Sequence, residues 1–494
     1  MSKENIVLFV ADQMRADSLH HMGCEASITP NLDALLEDGV SFENAYCQNP
    51  VCVPSRCSFL TGLYPHTTGH RTMHFLQNED EPNILKEMKN HGYEVIWVGR
   101  NDVVPSDKSK AKYCDMFFDG MHEESIIEPQ ENGMAAMQGL RPKLVNDPGK
   151  LDPSDDRFYS FYLGELEKES TKNTYDWNCL RSALHYLDTR TSEKPFFLYV
   201  TISFPHPPYG CEDPWYSSID RSKVPPRRED VENLKDKPSM LYGIRSKQHM
   251  QTWSEERWAE LRATYLAMVS RFDAQFGMLV DKLKEKGYYD SSNIFVYSDH
   301  GDYTGDYGIV EKVQNCFENP ISNVPLLVKL SKNYEVKPRI TKALAELVDL
   351  PATFADIAGI DLSYVQFGKS LVHVVKGDEE HKKQVYCEGG RIHGEIWCME
   401  KGHGPESPYY PRLDTQSQEG PEHTKATMAR MGNYKYTKRL YELDEFYDLK
   451  KDPYELHNEI NNPVYASIIQ EMKMNMLDWY QETTDIVPNR KDKR

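Results

Sequence analysis

Several side chains that could do chemistry lie just after apolar runs of the sequence. Asp12 follows residues 5–11, Asp299 lies just past residues 293–297, and His206 comes directly after a third apolar run. Ligands of open α/β sheets bind beyond the carboxyl ends of the strands, so we expect the two carboxylates to meet at one sheet edge. A histidine with a pKa near neutrality suits general acid catalysis, although a histidine between prolines is more often only a rigid loop residue.

The segment formed by residues 52–62 reads CVPSRCSFLTG. A lone cysteine is most often a buried structural thiol. The pattern C-x-P-S-R-x-x-x-L-T-G, however, resembles the signature of the type I sulfatases of the alkaline phosphatase superfamily. That resemblance implies that a formylglycine-generating maturase oxidises Cys52 to Cα-formylglycine, whose hydrate is the nucleophile. A second, structural segment at residues 443–458 also matches, so the resemblance covers nearly the whole chain.

The resemblance also implies a site for one divalent metal ion, commonly calcium, built from residues 10–13 (VADQ) and 298–302 (SDHGD). The predicted ligands are Asp12, Gln13, Cys52, Asp299 and His300. Carboxylate and amide oxygens suit calcium, whereas the nitrogen of His300 is compatible with manganese or zinc. Many family members have Asp-Asp where this chain has Asp-Gln, and the loss of one carboxylate is expected to weaken calcium binding.

The predicted catalytic residues are Cys52, Arg56, Arg100, Asp102, His206 and Lys312. By resemblance, Arg56 hydrogen-bonds the formylglycine hydrate. Lys312 contacts the sulfate and its bridging oxygen, and His206 binds sulfate and protonates the leaving oxygen. Arg100 replaces a family lysine and still offers a planar, positively charged fork to sulfate. Asp102 replaces a family histidine, and its carboxylate is compatible with a base or with recognition of a substrate hydroxyl.

The elements that must position these residues predict an α/β fold. Apolar runs alternate with helical periodicity, which indicates a parallel or mixed sheet. The resemblance specifies an alkaline-phosphatase-like large mixed sheet flanked by helices. We assign residues 1–375 to the catalytic domain and 376–494 to a smaller C-terminal α+β subdomain with a small antiparallel sheet and a terminal helix at 463–480.

Local patterns add three expectations. Thr29, followed by a proline, is predicted to cap the first helix. Residues 396–399 are predicted to form a short strand of the C-terminal sheet. Residues from about 100 to 190 and from 210 to 250 are polar and charged, and we expect irregular surface insertions that shape substrate choice.

The composition restricts partners and compartment. The net charge of −19 argues against nucleic acid as a partner. No apolar run approaches the roughly 20 residues of a membrane helix, and residues 6–11 are too short for a signal-peptide core. The sequence therefore predicts a cytoplasmic protein with no membrane partner. The ten cysteines contain no C-x-x-C pair, so neither a zinc framework nor a disulfide framework is expected.

Three functions remain open at this point. The leading hypothesis is a sulfatase that releases sulfate from a small anionic ester, a sulfated sugar or an aryl sulfate. The alternative is a phosphonate monoester or phosphodiester hydrolase of the same superfamily, which also uses formylglycine and which resembles this chain in the Asp-Gln and Asp-His metal pairs. A third hypothesis is a non-catalytic anion-binding protein in which Cys52 is never converted. The sequence leaves the sugar, the sulfate position, O- or N-linkage and the oligomeric state undecided.

Overall fold

The structure is a computed structural model that describes residues 3–118, 151–168 and 171–487. The described strands are β1 (Asn5–Asp12), β2 (Val40–Tyr46), β3 (Glu94–Gly99), β4 (Met116–Phe118), β5 (Tyr162–Glu165), β6 (Phe196–Pro205), β7 (Tyr209–Cys211), β8 (Ser292–Ser298), β9 (Leu326–Lys329), β10 (Arg339–Glu346), β11 (Val385–Gly389), β12 (Ala426–Met431), β13 (Tyr434–Arg439) and β14 (Glu445–Asp448). The central sheet has eight of these strands, in the order β10-β2-β9-β8-β1-β6-β3-β4. Only β9 runs antiparallel to its neighbours β2 and β8, so the sheet is mixed.

The described α-helices are α1 (Pro30–Leu35), α2 (Cys52–Thr61), α3 (Pro65–Thr68), α4 (Ile84–Asn90), α5 (Thr171–Thr189), α6 (Trp215–Ser218), α7 (Ser239–Lys247), α8 (Glu255–Glu285), α9 (Asn319–Ser322), α10 (Asp349–Ala358), α11 (Val372–Lys376), α12 (Tyr410–Gln416) and α13 (Ala466–Thr483). The longest, α8, begins at Ser254, whose side chain accepts a hydrogen bond from the main-chain N–H of Arg257. None of the described helices combines the length and apolar character needed to span a membrane.

The side chains of β1 show that the central sheet lies between two hydrophobic cores. Strand β1 pairs in parallel with β6 on one side and with β8 on the other. Its alternate side chains enter two separate hydrophobic cores, with Leu8 in one and Phe9 in the other. Complete burial of such side chains stabilises the fold by about 1.5–3 kcal/mol each. Helix α8 covers the second face, where the rings of Phe9 and Phe272 are 4.8 Å apart.

A second, four-stranded antiparallel sheet, β11-β12-β13-β14, lies in the C-terminal part of the chain. Helix α13 packs against it, and the rings of Tyr386 and Trp479 stack at 4.0 Å. The predicted fold class, a large mixed sheet with helices and a small C-terminal antiparallel sheet, is confirmed. The predicted boundary at residue 375 stays a prediction.

Two local predictions are wrong. Residues 396–399 do not form a strand, because Ile396–Cys398 is a turn of 3-10 helix. Thr29 makes no capping bond; the main-chain N–H groups of Asn31 and Leu32 donate instead to Asp273 of α8, at 3.2 and 2.7 Å. A carboxylate distant in sequence therefore caps α1, which local sequence patterns do not reveal.

The predicted insertions contain regular structure as well. Helix α5 lies within residues 100–190, and α7 lies within residues 210–250. Cys179, Leu180, Ala183 and Leu187 recur at helical spacing on the buried face of α5, although the segment is polar on average. Residues 119–150 and 169–170 of the first predicted insertion lie outside the described residues.

Candidate active site

The ends of β1 and β8 bring two carboxylates together. Ala11 of β1 pairs with Ser298 of β8, so Asp12 and Asp299 extend from neighbouring parallel strands at the same sheet edge. Gln13 then leaves the strand with a left-handed backbone (φ 71°), and its N–H donates to Asp299 Oδ1 at 3.0 Å. Left-handed non-glycine residues are uncommon and cluster at functional sites. Asp12 and Asp299 therefore lie together at one sheet edge, as the sequence predicts.

Helix α2 carries Cys52 and Arg56 into this edge. Cys52 is the first residue of the helix and Arg56 lies one turn later, so both side chains are on one face. The Arg56 guanidinium donates from Nε to Asp299 Oδ2 at 2.9 Å and from Nη2 to Asp12 Oδ2 at 3.1 Å. All four side chains are fully buried. Removing one partner of such a buried ion pair costs about 3–5 kcal/mol, so Arg56 fixes the spacing of the carboxylates.

A group of donor atoms beside Cys52 could hold a metal ion. Carboxylate oxygens of Asp12 and Asp299, Nε2 of His300 and Sγ of Cys52 all lie within 4.8 Å of one another. Sγ is 3.5 Å from Asp12 Oδ1 and 3.3 Å from His300 Nε2. His300 Nε2 is 3.8 Å from Asp12 Oδ1 and 3.7 Å from Asp299 Oδ1. Donor atoms this close together could contact one divalent ion.

The protonation of the donors also suits a cation. Nδ1 of His300 lies 2.9 Å from the carbonyl of Gly301 and therefore carries the hydrogen, which leaves the Nε2 lone pair facing Cys52. Burial lowers the pKa of His300, which keeps the ring neutral. Burial opposes ionisation of Asp12, but the cations around it, Arg100 first, hold its pKa well below the usual value. The four residues therefore fit a divalent ion.

The third strand end supplies Arg100 and Asp102. Gly99, the last residue of β3, has φ 92°, and a Cβ there would lie 2.0 Å from the carbonyl oxygen of Thr201. This close approach turns Arg100 towards the site, where Nη1 donates to Asp12 Oδ2 at 2.8 Å and Nε pairs with Asp102. The Arg100 side chain is 30% exposed whereas that of Arg56 is not exposed at all, so Arg100 is the arginine at the mouth of the site.

Lys312 and His206 close the site on the opposite side of Cys52. Lys312 Nζ is 3.3 Å from Cys52 Sγ and 2.9 Å from His206 Nε2, and it donates to Gln13 Oε1 at 2.8 Å. His206 Nδ1 donates to the carbonyl of Pro207 at 2.6 Å, so Nε2 accepts from Lys312. Burial and then the Lys312 charge hold the pKa of His206 well below its usual value. The proton of this pair therefore resides on Lys312.

All predicted site residues thus lie in one cluster. Gln13 is not among the four residues of the donor group. Its amide oxygen accepts a hydrogen bond from Lys312, and its amide nitrogen donates one to Asp302. Coordination of an ion by Gln13 stays a prediction. The geometry instead makes Gln13 the link between the donor group and Lys312.

Sequence reasoning missed the residues that orient Gln13. Asp302 accepts hydrogen bonds from Gln13 and from the hydroxyl of Tyr209 at 2.9 Å, and burial raises the pKa of Asp302 to about 6. Glu311 lies 3.4 Å from Lys312 Nζ, and its N–H donates to the Tyr209 hydroxyl at 3.0 Å. Asp302 stands in the same SDHGD segment as two predicted ligands, which is a signal that could have found it.

Sequence and structure comparisons agree with this geometry. A multifunctional alkaline phosphatase superfamily protein of Trinickia caryophylli, PehA, is 25% identical over 522 residues that cover 97% of this chain and 95% of PehA. An arylsulfatase of Clostridium perfringens is 26% identical over 497 residues, covering 95% and 93% of the two chains. The phosphonate monoester hydrolase of Agrobacterium radiobacter superposes with a TM-score of 0.77 at 20% identity, covering 97% and 96%, which shows a common fold.

The mixed sheet and the strand-end cluster define a hydrolase of the alkaline phosphatase superfamily. The sulfatase family model matches residues 4–360, and the chain belongs to that family. The predicted family and the predicted enzyme class, a sulfuric ester hydrolase, are confirmed.

Proposed function

We propose that this sulfatase cleaves its ester with a formylglycine made from Cys52 by a maturase. The observation that carries the proposal is the position of Cys52 Sγ, which lies within 3.5 Å of Asp12 Oδ1, His300 Nε2 and Lys312 Nζ. Cys52 Sγ thus lies beside both the metal donors and the ammonium group of Lys312, to which we assign the leaving group. A hydrated formylglycine would supply one hydroxyl to bond sulfur as the S–O bond to the alcohol breaks, and a second hydroxyl whose collapse to the aldehyde would break the new O–S bond and release inorganic sulfate.

Asp12, Asp299 and His300 would hold the divalent ion, with the oxygen of modified Cys52 in the place that Sγ occupies now. When bound there, the ion would polarise the sulfate oxygens and lower the pKa of the attacking hydroxyl. Calcium was the expected ion, but calcium takes six to eight oxygen ligands at about 2.3–2.6 Å. The nitrogen of His300 favours manganese or zinc instead.

We assign the remaining roles in the reaction to protein side chains. Arg56 holds Asp12 and Asp299 in register from the same helix that carries Cys52. Arg100 neutralises a sulfate oxygen at the mouth, and Asp102 orients Arg100. Lys312 gives its proton to the departing alcohol oxygen, and neutral His206 orients the ammonium group by accepting one of its hydrogens. General acid assistance of this kind contributes about 10²–10⁴-fold to a rate.

A phosphonate monoester or phosphodiester hydrolase is the second candidate. The Asp12-Gln13 and Asp299-His300 pairs resemble the metal pairs of those enzymes, and phosphonate monoester hydrolases of Agrobacterium radiobacter and Silicibacter pomeroyi share the fold. Parallel assays of an aryl sulfate, a phenyl phosphonate monoester and a phosphodiester, with metal analysis of the same sample, separate the two. A kcat/KM for either phosphorus ester above that for the sulfate would overturn our first choice.

Conversion of Cys52 is tested by peptide mass spectrometry of protein from its native host. Formylglycine at residue 52 is expected, and Cys52→Ala should abolish sulfate release while Cys57→Ala, one turn along the same helix, should retain it. An unmodified thiol together with no turnover would favour a non-catalytic anion-binding protein. Loss of folding in Cys52→Ala alone would indicate a structural cysteine.

The substrate class is proposed as a small sulfate ester on a sugar or an aryl group. A panel of sulfated monosaccharides, disaccharides and aryl sulfates, compared by kcat/KM, ranks these classes directly. A cytoplasmic location is also proposed, and fractionation of the native host followed by immunodetection tests it.

A further inference from the structure

The short helix α12 of the C-terminal part brings two side chains to the catalytic cluster. Tyr409 precedes this helix and Arg412 lies in its first turn. The ring of Tyr409 packs on Phe161 at 4.9 Å, and the Arg412 guanidinium lies 5.8 Å from the Tyr409 ring centroid. Burial and the charge of Glu311 raise the pKa of Tyr409. Tyr409 and Arg412 therefore form a ring-and-cation pair at the start of α12.

Helix α12 is held firmly against the segment that carries Lys312. Gly243 of α7 has no room for a side chain, because a Cβ would lie 2.4 Å from Thr415 of α12. Lys247 of α7 ties the two helices further, through Thr415 Oγ1 at 3.0 Å. Helix α7 in turn donates from Arg245 to the carbonyl of Gly308 at 2.9 Å. Arg412 and Lys312 are thus positioned by one continuous set of contacts.

Arg412 is nearly buried yet incompletely bonded. Its Nε lies 3.0 Å from Glu311 Oε2, and the other oxygen of Glu311 is 3.4 Å from Lys312 Nζ. A second carboxylate, Glu400, also acts on Arg412, but it already accepts hydrogen bonds from the amides of Gln314 and Gln416. Arg412 is 8% exposed, and its Nη1 has no hydrogen-bond partner among the described residues.

A buried guanidinium donor without a partner is destabilising, because it has lost its hydration and gained no acceptor, so a group that accepts from it is expected. The guanidinium fork matches the two oxygens of a carboxylate or sulfate in geometry and charge. We propose that Arg412 binds an acidic group carried by the leaving alcohol of the substrate, with Tyr409 packed against the same part of the substrate. This inference rests on the proposed sulfatase function and adds a specificity residue to it.

The test uses matched pairs of substrates on the formylglycine-containing, metal-loaded enzyme. 4-Carboxyphenyl sulfate is compared with 4-carbamoylphenyl sulfate, and the 3-substituted pair is compared in the same way. The two members of each pair have the same shape and differ in one charge. The wild-type enzyme should prefer the carboxylate of at least one pair by about 10- to 100-fold in kcat/KM, mainly through KM. Carboxamide phenols are the better leaving groups, so leaving-group chemistry opposes this preference.

Arg412→Gln should reduce the preference to about one, and the ratio within a pair cancels any change in rate that reaches Lys312 through Glu311. Arg430→Gln is the matched control, because Arg430 is equally buried in the C-terminal part and donates from Nε to the carbonyl of Gly432. That control should keep the wild-type preference. If Arg412→Gln does not fold, Arg412→Lys replaces it, with a preference between one and the wild-type value expected.

Three outcomes would overturn the inference: no preference for a carboxylate in the wild-type enzyme, an unchanged preference in Arg412→Gln, or the full wild-type preference in Arg412→Lys. Failure of the proposed function would give a different result. Protein with verified formylglycine at residue 52 would then release sulfate from neither member of either pair.

Discussion

Gly99 offers a sharp test of how the fold positions the site, because a second glycine provides a matched control. Gly99 and Gly92 have nearly equal φ angles, 92° and 88°. A Cβ on Gly99 would lie 2.0 Å from the carbonyl oxygen of Thr201, whereas a Cβ on Gly92 would meet no atom within 4 Å. Alanine at Gly92 therefore adds only backbone strain, and alanine at Gly99 adds the same strain and a collision.

The expected magnitudes follow from these distances. Left-handed backbone at a non-glycine residue costs about 1–2 kcal/mol, which is the whole expected effect of Gly92→Ala. A normal carbon–oxygen contact is about 3.3 Å, so Gly99→Ala requires a displacement of about 1.3 Å between β3 and β6. Overpacking of this kind costs about 1–3 kcal/mol more, for a total of about 2–5 kcal/mol.

The displacement should also lower the rate of hydrolysis, because Arg100 follows Gly99 and contacts Asp12 at 2.8 Å. A misplacement of about 1 Å can reduce a rate about 10²-fold. Urea unfolding gives the stability of both variants, and steady-state hydrolysis of an aryl sulfate gives kcat/KM. Gly92→Ala should keep wild-type kcat/KM. Equal stability and equal activity in the two variants would refute the proposed role of the β3–β6 contact.

Two further predictions concern the metal and the leaving group. Asp299→Asn should lower metal affinity by at least about 10- to 100-fold and lower activity with it, measured by elemental analysis after dialysis. The control variant Asp290→Asn changes an exposed carboxylate just before β8 and should keep the wild-type metal content. Unchanged metal content in Asp299→Asn would place the ion elsewhere. Lys312→Met should slow aryl sulfates with poor phenol leaving groups by about 10²-fold or more, and those with good ones much less. Equal losses for both groups would assign the proton transfer to another residue.

Local sequence patterns are enough to predict the elements that carry the site. The uninterrupted apolar run of β1 predicts a strand buried on both faces, and its end identifies Asp12. The spacing within residues 52–62 places Cys52 and Arg56 together, because four residues make about one helical turn. These signals are local, so they survive without any knowledge of tertiary contacts.

How those elements meet depends on contacts between segments that are distant in the sequence. Gln13 and Asp299 are 286 residues apart, and the parallel register of β1 and β8 brings them into hydrogen-bond contact. The tautomers of the two site histidines follow from carbonyl groups that the fold places beside them. Arg412 reaches Glu311 because α12 packs against α7, a contact between distant segments with no trace in local periodicity. Long-range packing sets these distances, and no local pattern encodes them.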